Sequence, residues 1–225
     1  MSKTLVISGA SRGIGFAMVQ LATQQGHRVY ALSRTIQSLT QTDLLHPLAL
    51  DLSNEDEIVA FAAQLKAEGV QIDTLINNAG ALENKPFSET TTALFESVYR
   101  VNVFGLASLT RLLLPMISSK GHVVNISSMG GIEGSAKFPG LAAYSSSKAA
   151  VNILTELLAE EYKASGPSFN ALALGAVQTE MLAQAFPGFQ APLTADQMAA
   201  YILSFALEGQ QYFNGKVLPI SSSTP

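Results

Sequence analysis

The sequence predicts an α/β chain: a doubly wound, mostly parallel seven-stranded sheet with helices on both faces. Three observations carry that prediction. Short apolar, β-branched runs alternate with longer helical stretches through all 225 residues, the pattern of a parallel sheet covered by crossover helices. A glycine cluster, "SGASRGIG" at 8–15, separates the first strand run from the first helix. Right-handed crossovers between successive strands then favour the doubly wound order.

The elements follow in order. Thr4–Ser8 ("TLVIS") is the first strand, and Gly13–Gln25 the first helix, opening at the glycine cluster. Arg28–Ser33 and Leu48–Asp51 are the next strands. Between them "TIQSLTQTDLLHP" is weakly helical, and a crossover needs about a dozen residues, so any helix there is short or irregular. The helix Glu55–Glu68 starts on Asn54 as N-cap, with Glu57 three residues later. Strands Thr74–Asn77, His122–Ser127, Phe169–Leu174 and Lys216–Ile220 complete the seven. Helices Thr91–Ile117, Ala142–Ala164 and Ala195–Glu208 fill the intervals. No repeat or low-complexity linker divides the chain, so residues 1–225 read as one domain, with 220–225 as a frayed tail.

Composition narrows the function. Apolar residues make up 48% and charged residues 13%, which excludes a disordered chain. A net charge of −4 argues against nucleic acid or an anionic membrane surface as partner. There is no cysteine, so disulfides, thiolate catalysis and cysteine metal sites are absent together. His27, His46 and His122 lie far apart beside strands, and no metal site is expected. The apolar run in "MSKTLVISG" is too short for a signal peptide. "LTRLLLPMI" is interrupted by Arg111 and Pro115 and cannot span a bilayer. A cytoplasmic location is the expectation.

The glycine loop supplies the first chemistry. Gly9 permits a tight exit from the strand, Gly13 a close approach of backbone to a phosphate, and Gly15 close packing of helix on sheet. Ser11, Arg12 and Ile14 fill the same loop. Free N–H groups at the helix start favour a pyrophosphate. The spacing is G-x-x-x-G-x-G, not the commoner G-x-G-x-x-G, and glycines in a strand–helix turn also serve plain turn chemistry.

Further landmarks appear in order: "LDL" at 50–52, "NNAG" at 77–80, "VN" at 101–102, "ISS" at 126–128 and "YSSSK" at 144–148. With the glycine loop, this set resembles the single-domain branch of the short-chain dehydrogenase/reductase family, from Leu5 to about Leu218. The resemblance implies a Rossmann-like fold and a nicotinamide cofactor. It implies that Asp51 and Leu52 hold the adenine, that Asn77 is structural, and that Asn78, Ala79 and Gly80 lie beside the adenosine ribose. It also carries Gly175, Val177 and Thr179 onto positions near the nicotinamide carboxamide.

The choice of cofactor rests on the end of the second strand. An acid there bonds ribose hydroxyls and repels a 2′-phosphate. This chain has Ser33 and then Arg34, and Arg12 in the glycine loop has the reach to join them. Two guanidiniums and a hydroxyl match a dianion, so NADP(H) is expected.

Tyr144 and Lys148 stand four residues apart on a helix and share one face. The pair alone also fits an ordinary solvated helix surface. Within the resemblance, Tyr144 is the proton donor and acceptor, and Lys148 bonds the nicotinamide ribose. A neighbouring ammonium is expected to lower the tyrosine pKa from roughly 10. Ser128 is expected to steady the developing oxyanion, and Asn102, inside the long helix, to hold a water linking Lys148 to solvent. Ser127 is the weaker serine, because adjacent strand residues point to opposite faces.

Three features depart from the family pattern. Ser128 and Tyr144 are 16 positions apart, so "MGGIEGSAKFPGLAA" is lengthened, with Phe138 as an apolar wall. Leu174 stands where proline is usual before Gly175. The segment from Glu180 to Leu193 is short for a substrate lid, with Phe186 and Phe189 as apolar contacts. The expected activity is reversible, NADPH-dependent reduction of a small-molecule ketone, aldehyde or 3-oxoacyl group to an alcohol. A 3-oxoacyl thioester reductase and a non-catalytic NADP(H) sensor are the alternatives. A homodimer or homotetramer through the two long central helices is expected.

Overall fold

In the computed structural model, which describes residues 2–221, the first strand, β1 (Thr4–Ser8), lies in the sheet interior with four of its five residues buried. Around it lie β2 (Arg28–Ser33), β3 (Leu45–Ala49), β4 (Ile72–Asn77), β5 (Ile117–Ser128), β6 (Ser168–Leu174) and β9 (Lys216–Ile220). They form one seven-stranded sheet in the order β3-β2-β1-β4-β5-β6-β9. Every pairing is parallel, so "mostly parallel" becomes wholly parallel. Two short strands, β7 (Val177–Gln178) and β8 (Leu193–Thr194), pair separately around a short helix, α6 (Glu180–Ala185).

Period-2 alternation divides the core between the two faces. Leu5 and Ile7 point to one side, where Met18 and Val19 of α1 (Gly13–Gln24) and Ile202 and Leu203 of α7 (Ala195–Glu208) cover them. Val6 and Leu75 point to the other, under Ile58 and Phe61 of α2 (Glu55–Ala67) and Leu109 and Leu113 of α4 (Leu106–Leu113). The long helix α5 (Ala142–Glu161) brings Ala159 into that second cluster.

Several elements differ from expectation: β5 starts at Ile117, five residues before the expected His122, and α5 ends at Glu161, three before Ala164. β3 begins three residues before the expected Leu48 and contains Pro47. It is an edge strand, where a residue without an N–H is tolerated, and it ends at Ala49, two residues before the expected Asp51. Residues 34–44, before β3, contain no helix; Leu39 is buried in the core instead. The expected helix 91–117 is broken into α3 (Thr92–Tyr99), a π-helical turn at Arg100–Gly105, α4, and a 3-10 turn at Leu114–Met116 around Pro115. Gly105 marks the break: a Cβ there would collide with the Leu52 carbonyl and lie 2.8 Å from Leu52 Cβ. Ile220 pairs with Leu174 in β9, and the remainder of the expected tail, 222–225, lies outside the described residues.

Polar residues are buried within this core in two networks. Asn77 Nδ2 donates to Asn125 Oδ1 across β4 and β5 at 2.8 Å, and Asn125 Nδ2 donates to Thr155 Oγ1 of α5 at 2.8 Å. The structural role expected of Asn77 therefore takes the form of a strand-to-helix bridge. Deeper in β5, His122 Nε2 lies 2.9 Å from Asn170 Nδ2, and its Nδ1 lies 3.2 Å from the Ala206 carbonyl. An amide donor on Nε2 and a carbonyl on Nδ1 require the neutral ring with its proton on Nδ1.

Candidate active site

The site assembles at the carboxyl ends of the parallel strands, beside the point where strand order reverses between β1 and β4. There the glycine loop turns into α1. Gly9 and Gly13 adopt φ of +70° and +54°, values side chains resist. Gly15 is bare for packing, since a Cβ would collide with the Gly9 carbonyl. The start of α1 has neither a side-chain cap nor an acid in its first turn, so its N–H groups face outward unneutralised. Ile14 packs against the core beneath.

Around this loop the residues expected at the cofactor each have specific surroundings within the protein. Ser33 Oγ donates to Ser11 Oγ at 2.8 Å, joining the end of β2 to the loop. Arg34 is exposed and lines a recess of about 420 Å³ with Ala49, Leu50, Asp51 and Glu57. Asp51 Oδ1 accepts from Ser53 N and Oγ, both at 2.8 Å, and Leu52 is buried next to it. Asn78 braces the loop: its Nδ2 donates to the Ser8 and Gly9 carbonyls, both at 3.1 Å. Both amide hydrogens are thus committed to backbone, so neither is available to the ribose expected there. Ala79 N donates to Ser8 Oγ at 3.1 Å. Gly80 leaves space, since a Cβ there would lie 3.6 Å from both Asn102 Oδ1 and Lys148 Nζ.

Arg12 is engaged by an acid across the loop. Its Nη1 pairs with Glu180 Oε2 at 3.0 Å, with both side chains largely exposed. Such an exposed pair contributes about 0–1 kcal/mol. On the opposite wall Gly175 N donates to the Ile220 carbonyl at 2.9 Å. Val177 is buried in β7, and the Thr179 hydroxyl caps α6 by accepting from Leu182 N at 3.2 Å.

The chemical group lies where β5 ends and α5 begins. Ser128 closes β5, and its Oγ accepts from Gly130 N at 3.2 Å. Tyr144 and Lys148 share a face of α5, with Lys148 Nζ 5.7 Å from the centre of the tyrosine ring. Nζ donates to the Ile126 carbonyl at 2.8 Å. Ser127 turns inward, with its hydroxyl 3.3 Å from the Lys148 carbonyl. Burial pushes the Lys148 ammonium down to about 8. Burial also raises the Tyr144 phenol above its usual value, against a smaller lowering by the Ser128 hydroxyl. The expected lowering by Lys148 is therefore overturned for this state. The ammonium sits over the ring with a carbonyl as partner, and removing the phenolate from water outweighs what Ser128 returns.

Asn102 occupies the π-helical turn and is fully buried. Its Oδ1 accepts from Ala81 N at 2.7 Å, and its Nδ2 donates to the Ala81 carbonyl and to Ser147 Oγ, both at 2.9 Å. Both amide hydrogens are taken, so neither is available to the water expected there. Asn102 instead ties the loop after β4 to the helix of Tyr144. Nothing in the sequence marks Ser147 among the three serines of "YSSSK"; only the fold shows its bond to Asn102. In the lengthened loop, Phe138 meets Phe186 edge-on at 5.7 Å, while Phe189 is exposed.

The bare helix start, the Arg34–Asp51 recess and the space above Gly80 fit a dinucleotide laid from β2 to α5. A family model described as short chain dehydrogenase matches residues 3–188. The chain is 30% identical over 244 residues to 2-(R)-hydroxypropyl-CoM dehydrogenase of Xanthobacter autotrophicus, covering 97% of this chain and 96% of that protein. It is 35% identical over 159 residues to the NADPH-dependent 1-acyldihydroxyacetone phosphate reductase of Saccharomyces cerevisiae, covering 67% and 52%. Among solved structures, 4-hydroxyisoleucine dehydrogenase complexed with NADH superposes with a TM-score of 0.89 at 27% identity, covering 99% of this chain and 98% of that one. Motif order, strand order and the matched region agree, and the chain belongs to the short-chain dehydrogenase family of oxidoreductases acting on alcohol and carbonyl groups.

Proposed function

We propose that the protein is an NADP(H)-dependent carbonyl reductase, reversible as an alcohol dehydrogenase. The observation that carries this reading is the convergence of Ser128, Tyr144 and Lys148 at the junction of β5 and α5. The nicotinamide cofactor, when bound, supplies or accepts the hydride. Tyr144 gives its phenolic proton to the carbonyl oxygen, and Ser128 donates a hydrogen bond to that oxygen as charge develops. A phenol held above its usual pKa is protonated across neutral pH, which suits the reductive direction. Lys148, still largely charged at pH 7, is placed to bond the nicotinamide ribose once it leaves the Ile126 carbonyl.

NADP(H) is favoured by Ser33 and Arg34 where an NAD enzyme carries an acid. Arg34 is the principal contact for the 2′-phosphate, because Arg12 reaches it only after releasing Glu180. The neighbour complexed with NADH and the relative named as NADPH-dependent stand on opposite sides of this choice. The substrate is a compact apolar ketone, aldehyde or 3-oxoacyl compound. The Phe138–Phe186 contact supports an apolar wall, and Lys137 Nζ is turned back onto its own loop at the Ile132 carbonyl, 2.6 Å away. The exposed apolar side chains of Phe104 (57%), Ile153 (66%) and Leu157 (60%) favour a homo-oligomer.

Oxidation of NADPH and NADH against ketones, aldehydes, quinones and 3-oxoacyl thioesters tests the reading. Turnover with NADPH well above NADH is expected, and Tyr144→Phe should lose it while still binding NADPH. Equal use of both cofactors sinks the Arg34 assignment, and near-normal turnover in Tyr144→Phe refutes the mechanism.

A further inference from the structure

Three segments meet at one residue outside the motifs. Asn84 lies in the loop after β4, whose base at Ala81 is held by two bonds to Asn102. Its Nδ2 donates to the carbonyl of Ala185, the last residue of α6, at 2.8 Å. Its Oδ1 lies against Gly140, where an added Cβ would collide with it. Gly140 holds φ of +90°, and its carbonyl accepts from Lys85 N at 3.0 Å. Gly140 also stands two residues before Ala142, where the helix of Tyr144 begins.

On the reading above, on which this inference rests, 180–193 is the lid of the substrate cleft and 129–143 is its wall. Phe186 of the lid meets Phe138 of the wall, and Asn84 bonds the lid one residue before Phe186 while packing on the wall two residues after Phe138. Asn84 therefore joins the same two segments that meet at the aromatic contact. The carbonyl it holds belongs to the end of a six-residue helix that has little rigidity of its own. Asn84 is itself exposed, so the bond is a modest one that opens and recloses.

We infer that Asn84 is a positioning and specificity-determining residue: its amide latches the end of α6 to the wall loop and holds Phe186 against Phe138. The closed latch shortens the cleft and selects compact apolar carbonyl substrates; its loss admits longer ones and weakens the fit of short ones. Because Asn102 anchors the base of the same loop and bonds Ser147 on α5, the latch is referenced to the helix that carries Tyr144.

The test uses the full chain with NADPH. Asn84→Asp keeps the shape but removes the N–H donor, Asn84→Ala removes the side chain, and Asn84→Gln keeps a donor. Loss of one exposed hydrogen bond should raise KM for a compact carbonyl roughly three- to tenfold in the Asp and Ala variants. The kcat and the NADPH Kd should change little, with partial recovery in Gln. Amide hydrogen exchange at Leu182–Phe186 should quicken in Asp and Ala. Unchanged exchange in both variants overturns the latch, whatever KM does, and so does an unchanged KM in an active enzyme. If the wild type reduces no carbonyl, the reading of the site fails separately, and the exchange data still decide whether Asn84 holds α6.

Discussion

At the scale of single residues, burial governs the ionisable groups, and the direction of each shift has consequences. Lys148 is pushed down to about 8 and Tyr144 upward, both chiefly by desolvation. The group that loses its proton first on the alkaline side is therefore Lys148. Carbonyl reduction, measured as kcat/KM against pH, should hold through neutrality and fall with an apparent pKa near 8. A limb at or above the ordinary phenol value would instead belong to Tyr144. His122 gives a second case, in stability. Burial holds its imidazole at about 4, against 6.5 in the unfolded chain, with the Ala206 carbonyl opposing weakly. The unfolded state takes up this proton first, so the contribution is complete above pH 6.5 and is lost as pH falls toward 4. Its full size is about 3 kcal/mol. The stability gap between wild type and His122→Gln, from urea unfolding at pH 7 and pH 4.5, should narrow by about 2 kcal/mol, most of that amount. Parallel pH curves for the two proteins would show that His122 is not the group responsible.

At the scale of elements, the apolar periodicity placed most strands and helices within two residues, because a buried parallel strand must be a continuous apolar run. β3, the start of β5, the end of α5 and the helix 91–117 were the exceptions, and β3 and the broken helix reflect neighbours in space. Pro47 is acceptable because, among the described residues, no strand pairs with its outer side. The π-helical turn at Arg100–Gly105 follows from the close approach of Gly105 to Leu52, a residue expected at the adenine. Gly105→Ala separates the two influences. Helix propensity alone favours alanine by about 1 kcal/mol, whereas a Cβ forced against the Leu52 backbone costs about 1–3 kcal/mol or more. A lowered Tm together with weaker NADPH binding is expected. A raised Tm would mean that the contact relaxes freely and that the break has another cause.

At the scale of the whole molecule, the unanswered surface lies on the π-helical turn and α5, where Phe104, Ile153 and Leu157 are exposed. The proposed oligomer rests on these three side chains, whose burial against a second copy would remove apolar surface from water. Light scattering should give a dimer or larger for wild type, and Ile153→Asp with Leu157→Asp should reduce the mass with the circular dichroism unchanged. A monomeric wild type at working concentration would remove the oligomer from the proposal.

The sequence by itself determined the alternation of strands and helices, the glycine loop, and the Tyr144–Lys148 pair. All of these depend on spacing within one element or one turn. Tertiary structure alone decided that Arg12 bonds Glu180 168 positions away, that Asn102 spends its amide on Ala81 and Ser147, and that Asn84 holds Ala185 101 positions away. It also decided that Lys148 faces a carbonyl and leaves the Tyr144 pKa high. The reason is physical: local geometry follows from backbone period. Which distant side chains share a hydrogen bond, and which charges lose their water, depends on the order in which the strands are laid together.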